Sequence, residues 1–351
     1  MSYEACLCAM NLEMPDHVPR TEFSLEMHTP LLRKVSGLPL PEGDAQMRKK
    51  AIEILHREWD FSFMWATDLG NQYYGDMFTD MGHAIYDENG KDWNANTFCP
   101  FTNTQEVLDF EPAVHFCLPS KAELTAEFNA HYLERSSQEP RQVAMVGSYT
   151  TGMSGMISIF GWEMLLEAAG DDYDRFGAML QRYGDWLMPY YEAMAASDSP
   201  NVMIHDDMVW ASGGFMPPEW YREFLFPLYK RYLAPLKEVG KKITFTSDGN
   251  FTQYIPDLVD CGFDGFVLEP LTDMKVLAEQ YGKTHYFIGN ADTRILLYGT
   301  KEDIYGEVKR CFDTAKACPG FIFATGNHIP PNTPLENCLW YNEFYMQMRR
   351  R

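Results

Sequence analysis

The chain has 351 residues, 46% of them hydrophobic, and a formal net charge of −21. That charge argues against nucleic acid or an anionic membrane as a partner, since both are polyanions. No run of about 18 apolar residues is present to span a bilayer. Met1-Ser2-Tyr3-Glu4-Ala5 lacks the basic-then-apolar pattern of a signal peptide, so a cytoplasmic protein is expected. None of the eight cysteines forms Cys-x-x-Cys, and they are expected to be reduced and mostly buried. Cys6-x-Cys8 offers two thiolates for a metal, but on an N-terminus expected to be mobile.

Residues 18–24 read as a first strand and 44–58 as a helix charged along one face. Residues 61–67 read as a second strand ending at Asp68. Residues 70–118 have no clean period and read as an insertion or lid. A helix is predicted over 121–135 and a third strand over 142–146, followed by Gly147-Ser148-Tyr149-Thr150-Thr151-Gly152 with Tyr149 facing the mouth. Two helices follow, at 154–168 and 172–197. A fourth strand, 201–205, ends in Asp206-Asp207. Pro217-Pro218-Glu219 opens a helix to about 238, with Pro in the first turn.

In the last third every apolar run ends in polar residues. Run 242–245 leads to Ser247-Asp248-Gly249, and 265–268 to Glu269-Pro270. Run 286–288 leads to Gly289-Asn290-Ala291-Asp292, and 320–324 to Gly326-Asn327-His328. Helical periods fall near 251–260, 273–281, 301–317 and 335–349. Eight strand–helix units predict an α/β fold. It is a single (β/α)8 TIM barrel over 1–351, with an insertion or lid after the second strand. Its site belongs at the carboxyl ends of the strands, which singles out Asp248, Glu269, Asp292 and His328.

Asp206 and Asp207 are adjacent, so they cannot point the same way on an extended chain. Asp207 is the one expected to face the pocket and act on the substrate, with Asp206 bonded to backbone. His205 is expected to be buried packing, Asp292 a helix cap or a partner to a ligand, and Asp68 a catalytic or turn residue. The aromatic segment 59–78 (Trp59, Phe61, Phe63, Trp65, Tyr73, Tyr74, Phe78) either covers an aromatic ligand or packs the core.

Several stretches resemble the uroporphyrinogen decarboxylase superfamily. They are Ile204-His205-Asp206-Asp207, Pro217-Pro218-Glu219-Trp220-Tyr221-Arg222-Glu223-Phe224, Ser247-Asp248-Gly249-Asn250, Gly289-Asn290-Ala291-Asp292, and 326–337 beginning Gly326-Asn327-His328. Together they cover about half the chain, from roughly residue 140 onward. The resemblance implies the same barrel and one of two activities. One branch decarboxylates uroporphyrinogen without a cofactor. The other comprises zinc-dependent methyltransferases that work with a corrinoid protein.

The decarboxylase branch binds propionates with an N-terminal arginine pair. Here the matching stretch is Arg20-Thr21-Glu22-Phe23-Ser24, and the pair is absent. Asp68 does stand where that branch has its catalytic aspartate. The thiol-activating methyltransferases have His-x-Cys after the fifth strand and Cys after the eighth. Here those positions read Thr246-Ser247-Asp248 and Asn327-His328.

The resemblance therefore implies a harder zinc set, Asp248, Glu269 and His328, with an open position. A linear alternative is Asp292-x14-Glu307-x20-His328, although Glu307 reads as a solvated helix face. Such a set suits an oxygen substrate. The implied activity is O-demethylation: methyl transfer from an aryl methyl ether to cob(I)alamin, with Asp207, Asp68 and Asp292 as catalytic candidates. The chain has no corrinoid-binding Asp-x-His-x-x-Gly, so a separate corrinoid protein is the expected partner. A cofactor-free decarboxylase and a non-catalytic barrel that binds a corrinoid or aromatic ligand remain the alternatives.

Overall fold

The computed structural model describes residues 2–81 and 97–351. Its strands are β1 (Val146–Ser148), β2 (Asn201–His205), a small hairpin of β3 (Val209–Trp210) and β4 (Gly213–Gly214), β5 (Lys242–Thr246), β6 (Gly265–Val267), β7 (Tyr286–Ala291) and β8 (Phe321–Thr325). Six of them form a parallel sheet in the order β1-β2-β5-β6-β7-β8. Two extended segments close it. Arg20 bridges Phe323 of β8 on one side and Phe61 on the other, and Phe63 bridges Val143 just before β1. The ring therefore runs through eight strand positions and is the expected (β/α)8 barrel, with its first two positions reduced to single bridges.

Sequence alternation assigns the two faces. Met203, Val267, Ile288, Ile322 and Ala324 point inward and form one cluster with Phe63, Val143 and Met145. Their neighbours Val202, Ile204, Phe266, Phe287, Phe321 and Phe323 point outward into the core beneath the helices. Close strand approach is built in at Gly147, where an added Cβ would lie 1.9 Å from the Ala66 carbonyl oxygen.

The N-terminus departs from expectation. Ser2–Met10 is a helix, and Cys6 and Ala9 are fully buried against the inward-facing cluster. This helix plugs the barrel rather than moving freely. Burial pushes the Cys6 thiol up to about 12, so the thiolate a metal would need is strongly disfavoured. A second unanticipated helix, Thr29–Ser36, is capped by His28, whose ring accepts from the Leu31 N–H.

The helix Ala45–Glu58 matches its prediction, with Asp44 as N-cap. The expected lid region contains helices Thr104–Leu108 and Pro112–His115, and its residues 82–96 lie outside the described residues. The two helices expected over 154–197 are three: Gly152–Phe160, Trp162–Asp171 and Tyr173–Ala196. The helix predicted to run to about 238 contains a π-turn at Tyr221–Leu225. It lies beside Pro227, which has no N–H to continue a regular ladder. No helix among the described residues is long and apolar enough to cross a membrane.

Candidate active site

A cavity of about 390 Å3 opens at the carboxyl ends of the strands. Its lining follows the alternation set lower in the barrel. Met203 is followed inward by His205 and Asp207, Thr246 by Asp248, Val267 by Glu269, and Trp65 by Thr67. On the eighth strand position Gly326 and His328 keep the same parity. The loop after the first strand position adds Phe23, Ser24, Glu26 and Met27. Glu26, Asp207, Asp248 and Glu269 bring four carboxylates to this lining, the Glu22 side chain beside it is inaccessible, and no lysine or arginine lines it among the described residues.

Asp207 sits at the centre of the polar end. Its carboxylate accepts from the Tyr149 hydroxyl at 2.6 Å and the Asp248 N–H at 2.8 Å, and lies 3.0 Å from His205 Nε2. Burial by itself would raise this carboxyl, but the His205 charge and the three hydrogen bonds hold it below the usual range. Burial likewise opposes a charge on His205, and Asp207 overrides it and raises the ring. Tyr149 lines a neighbouring recess and touches the site through its bond to Asp207 and an edge-on contact with the His205 ring, 4.6 Å between ring centres.

Asp206, one residue away, points outward. It accepts from the Met153 and Ser154 N–H groups at 2.8 and 2.6 Å and from Tyr229 at 2.5 Å. It thus satisfies the amino end of the helix Gly152–Phe160. Burial lifts its carboxyl to about 6 against those donors.

Asp248 is exposed and lines the cavity. Desolvation raises its carboxyl, and the Asp207 and Glu269 charges raise it further. Glu269 accepts from the Gly249 N–H at 2.6 Å and from the Asn327 side-chain amide. It too is raised, first by burial. Among the described residues, the group of three ligand atoms lying within 4.8 Å of one another is His205, Asp207 and Asp248.

This trio differs from the expected metal set, whose three residues all line the same cavity. Asp248 stays in it, but Glu269 is turned to Gly249 and Asn327, and His328 Nδ1 is hydrogen-bonded to the Ser24 hydroxyl. His205, expected to be mere packing, takes a place in the group instead. Its parity with Met203 and Asp207 was the available signal.

Two other candidates lie off the cavity. Asp68 is inaccessible, accepts from the Gly147 N–H at 2.9 Å and pairs with Arg135. Asp292 caps the helix Thr293–Tyr298 and pairs with Arg294 at 2.6 Å, beside a shallow recess it shares with Glu269 and His328. Glu307 is not on a solvated face. It is buried, paired with Arg310 at 2.6 Å, and accepts from the Asp292 N–H. Of the aromatic segment, Trp59, Phe61, Phe63 and Tyr74 are core, whereas Trp65 walls the cavity, stacked on Phe23.

The loop carrying Glu26 is held from below. His56 bonds Glu26 at 3.0 Å through Nε2 and Glu139 at 2.9 Å through Nδ1. Burial opposes the charged ring, yet the Glu139 and Glu26 hydrogen bonds outweigh it and raise His56 to about 9. Because folding raises this pKa, the contribution is whole below about pH 6.5 and is lost as pH climbs through about 9. Chemical denaturation between pH 6 and 10 should show a loss of about 3 kcal/mol in the wild type. His56→Gln should flatten that slope, and an unchanged slope in the variant would exclude the imidazolium clamp.

Residues 107–345 match the uroporphyrinogen decarboxylase (URO-D) family. The uroporphyrinogen decarboxylase of Pelobacter propionicus is 25% identical over 177 residues, covering 50% of each chain. That of Aromatoleum aromaticum is 28% identical over 201 residues, covering 53% of this chain and 54% of that one. The chain thus spans about half the length of the curated relatives it matches. A methyltransferase from Methanosarcina mazei has a similar structure, with a TM-score of 0.63 at 19% identity over 99% of this chain and 98% of that one. That likeness carries the barrel fold.

Proposed function

Because the chain belongs to the uroporphyrinogen decarboxylase family, we propose that it works as a zinc-dependent methyltransferase of that fold. It would move a methyl group from a small methylated substrate, in the first instance an aryl methyl ether, to the cobalt of a corrinoid on a separate protein. The observation that carries this reading is the convergence of His205, Asp207 and Asp248 at the polar end of an acid-lined cavity. One imidazole and two carboxylates that open onto a cavity are a fitting donor set for a catalytic zinc. Burial first, and then the Asp207 and Glu269 charges, raise the Asp248 carboxyl, and a divalent cation would offset both.

The uroporphyrinogen decarboxylases among its relatives act on a substrate rich in carboxylates. Four acids that open into it, without a lysine or arginine in the described lining, offer such a molecule repulsion instead of bidentate pairing. The volume of about 390 Å3 falls at the small end of the usual range for ligand sites, about 300–1,000 Å3.

His205, Asp207 and Asp248 would hold the metal, which as a Lewis acid supplies stabilisation of negative charge on the ether oxygen. Phe23, Trp65 and Met27 give the ring an apolar wall. Tyr149 and the Asp248 N–H fix the Asp207 carboxylate in place. In the transfer the partner's cob(I)alamin, as acceptor substrate, would supply the electron pair of the new bond to the methyl carbon, and the ether oxygen would keep the pair of the broken bond and take a proton from water.

The test is the metal content of purified protein by mass spectrometry, paired with methyl transfer from 2-methoxyphenol to cob(I)alamin followed by absorbance. About one zinc per chain, lost in Asp248→Ala together with transfer, is the expected result. Wild-type protein that stays metal-free after zinc is supplied, or that releases CO2 from uroporphyrinogen, would overturn the reading.

A further inference from the structure

The acidic residues in and beside the cavity lining are not equivalent. Glu22 is cancelled by Arg20 at 2.7 Å, with both side chains inaccessible. Glu26 is met by His56 at 3.0 Å, and Asp207 by His205 at 3.0 Å. Asp248 lies within the proposed metal group. Glu269 is different. Its oxygens are held by a backbone N–H and the Asn327 amide, which supply hydrogen bonds but no charge. The arginine nearest in sequence, Arg294, is committed to Asp292 by three contacts of 2.6 to 3.1 Å. Among the described residues no lysine or arginine pairs with Glu269.

We infer that Glu269 is the specificity-determining residue of this cavity, and that it admits methyl donors without negative charge while excluding carboxylated ones. The inference rests on the cavity being a methyl-donor site. An anion entering it meets a carboxylate that no lysine or arginine contacts among the described residues, Arg294 acting on it from beyond ion-pair distance, across a cavity where water screens poorly. A neutral ring bearing a hydroxyl instead finds an acceptor in Glu269 and an apolar wall in Phe23, Trp65 and Met27.

Calorimetric titration of the full-length protein with three probes tests this. They are 2-methoxyphenol, 2-methoxybenzoate and the trimethylanilinium cation. The neutral ether is expected to bind at least about tenfold more tightly than the carboxylate. Glu269→Gln, which keeps an acceptor oxygen for the Gly249 N–H, should shrink that ratio chiefly by improving 2-methoxybenzoate. Should the variant fail to fold, the wild-type comparison still decides. Equal binding of ether and carboxylate by the wild type would overturn the inference, as would an unchanged ratio in a folded Glu269→Gln. Binding of trimethylanilinium without 2-methoxyphenol would support selection by charge and sink the aryl ether reading, so the two fail separately. Binding of none of the three would overturn both.

Discussion

Arg20→Leu is expected to lower the stability of the fold by about 3–5 kcal/mol, the usual cost of removing one partner of a buried ion pair. Arg20 and Glu22 lie 2.7 Å apart with no accessible side-chain surface on either. The guanidinium is ringed by Tyr345, Trp59, Tyr341 and Phe61, at 4.5, 5.0, 5.3 and 5.8 Å from the ring centres. It also donates to Asn342 at 2.7 Å, which fastens the C-terminal helix Leu335–Met348 to the first strand position. Leucine fills part of that volume but leaves the Glu22 carboxylate buried without its cation. Three donors remain to it, the Tyr341 hydroxyl and the Thr325 N–H and hydroxyl. They do not replace the charge. Denaturant unfolding of Arg20→Leu beside the double variant Arg20→Leu/Glu22→Gln separates the causes. The double variant should recover much of the loss, because the stranded charge is gone. A single variant as stable as wild type would mean that the rings, not the pair, hold this corner.

The same pair shows how far the sequence could be read. A lone arginine in the first strand stands out as the missing half of a substrate-binding pair, but nothing in the sequence says which way it points. In the structure it turns outward into aromatic core. Strand parity was the information available and only partly used. Met203 lies in the barrel interior, so His205 and Asp207 must follow it inward while Asp206 faces the helices. The same rule applied to Thr246 and Val267 brings Asp248 and Glu269 into the cavity.

Strand parity does not name the partners that hold other acids. Asp68 is drawn to Arg135 from a helix 67 residues away in sequence, and Glu307 to Arg310 and the Asp292 N–H. Those partners come from tertiary packing, which no periodicity encodes. The N-terminal helix was hidden for another reason. Nine residues with two cysteines and one methionine around Ala5 and Ala9 carry only a weak amphipathic pattern. What makes the helix stable is the barrel floor it covers.

Asp207→Asn is expected to leave a folded barrel whose methyl-transfer rate is lower by about 10²-fold or more. The substitution conserves volume but removes the charge that His205 faces at 3.0 Å. It also forces a choice of orientation. The single carbonyl oxygen of asparagine can accept from the Tyr149 hydroxyl or from the Asp248 N–H, and the amide placed at the other position meets a donor. Leaving one buried donor unsatisfied costs about 1–3 kcal/mol, which the core of this barrel can absorb.

The proposed metal group should suffer more, since one of its two carboxylates becomes a neutral amide and His205 loses the partner that orients it. Zinc should therefore be retained less tightly, by about 10- to 100-fold in a chelator competition. Asp206→Asn makes the informative control. Its carboxylate bonds to the Met153 and Ser154 N–H groups and never reaches the cavity. It should cost stability while sparing zinc affinity. If Asp207→Asn instead holds zinc as well as wild type and transfers methyl groups at the same rate, Asp207 is a structural acid. The metal, if any, would then have to be sought at Asp248 with ligands other than His205 and Asp207.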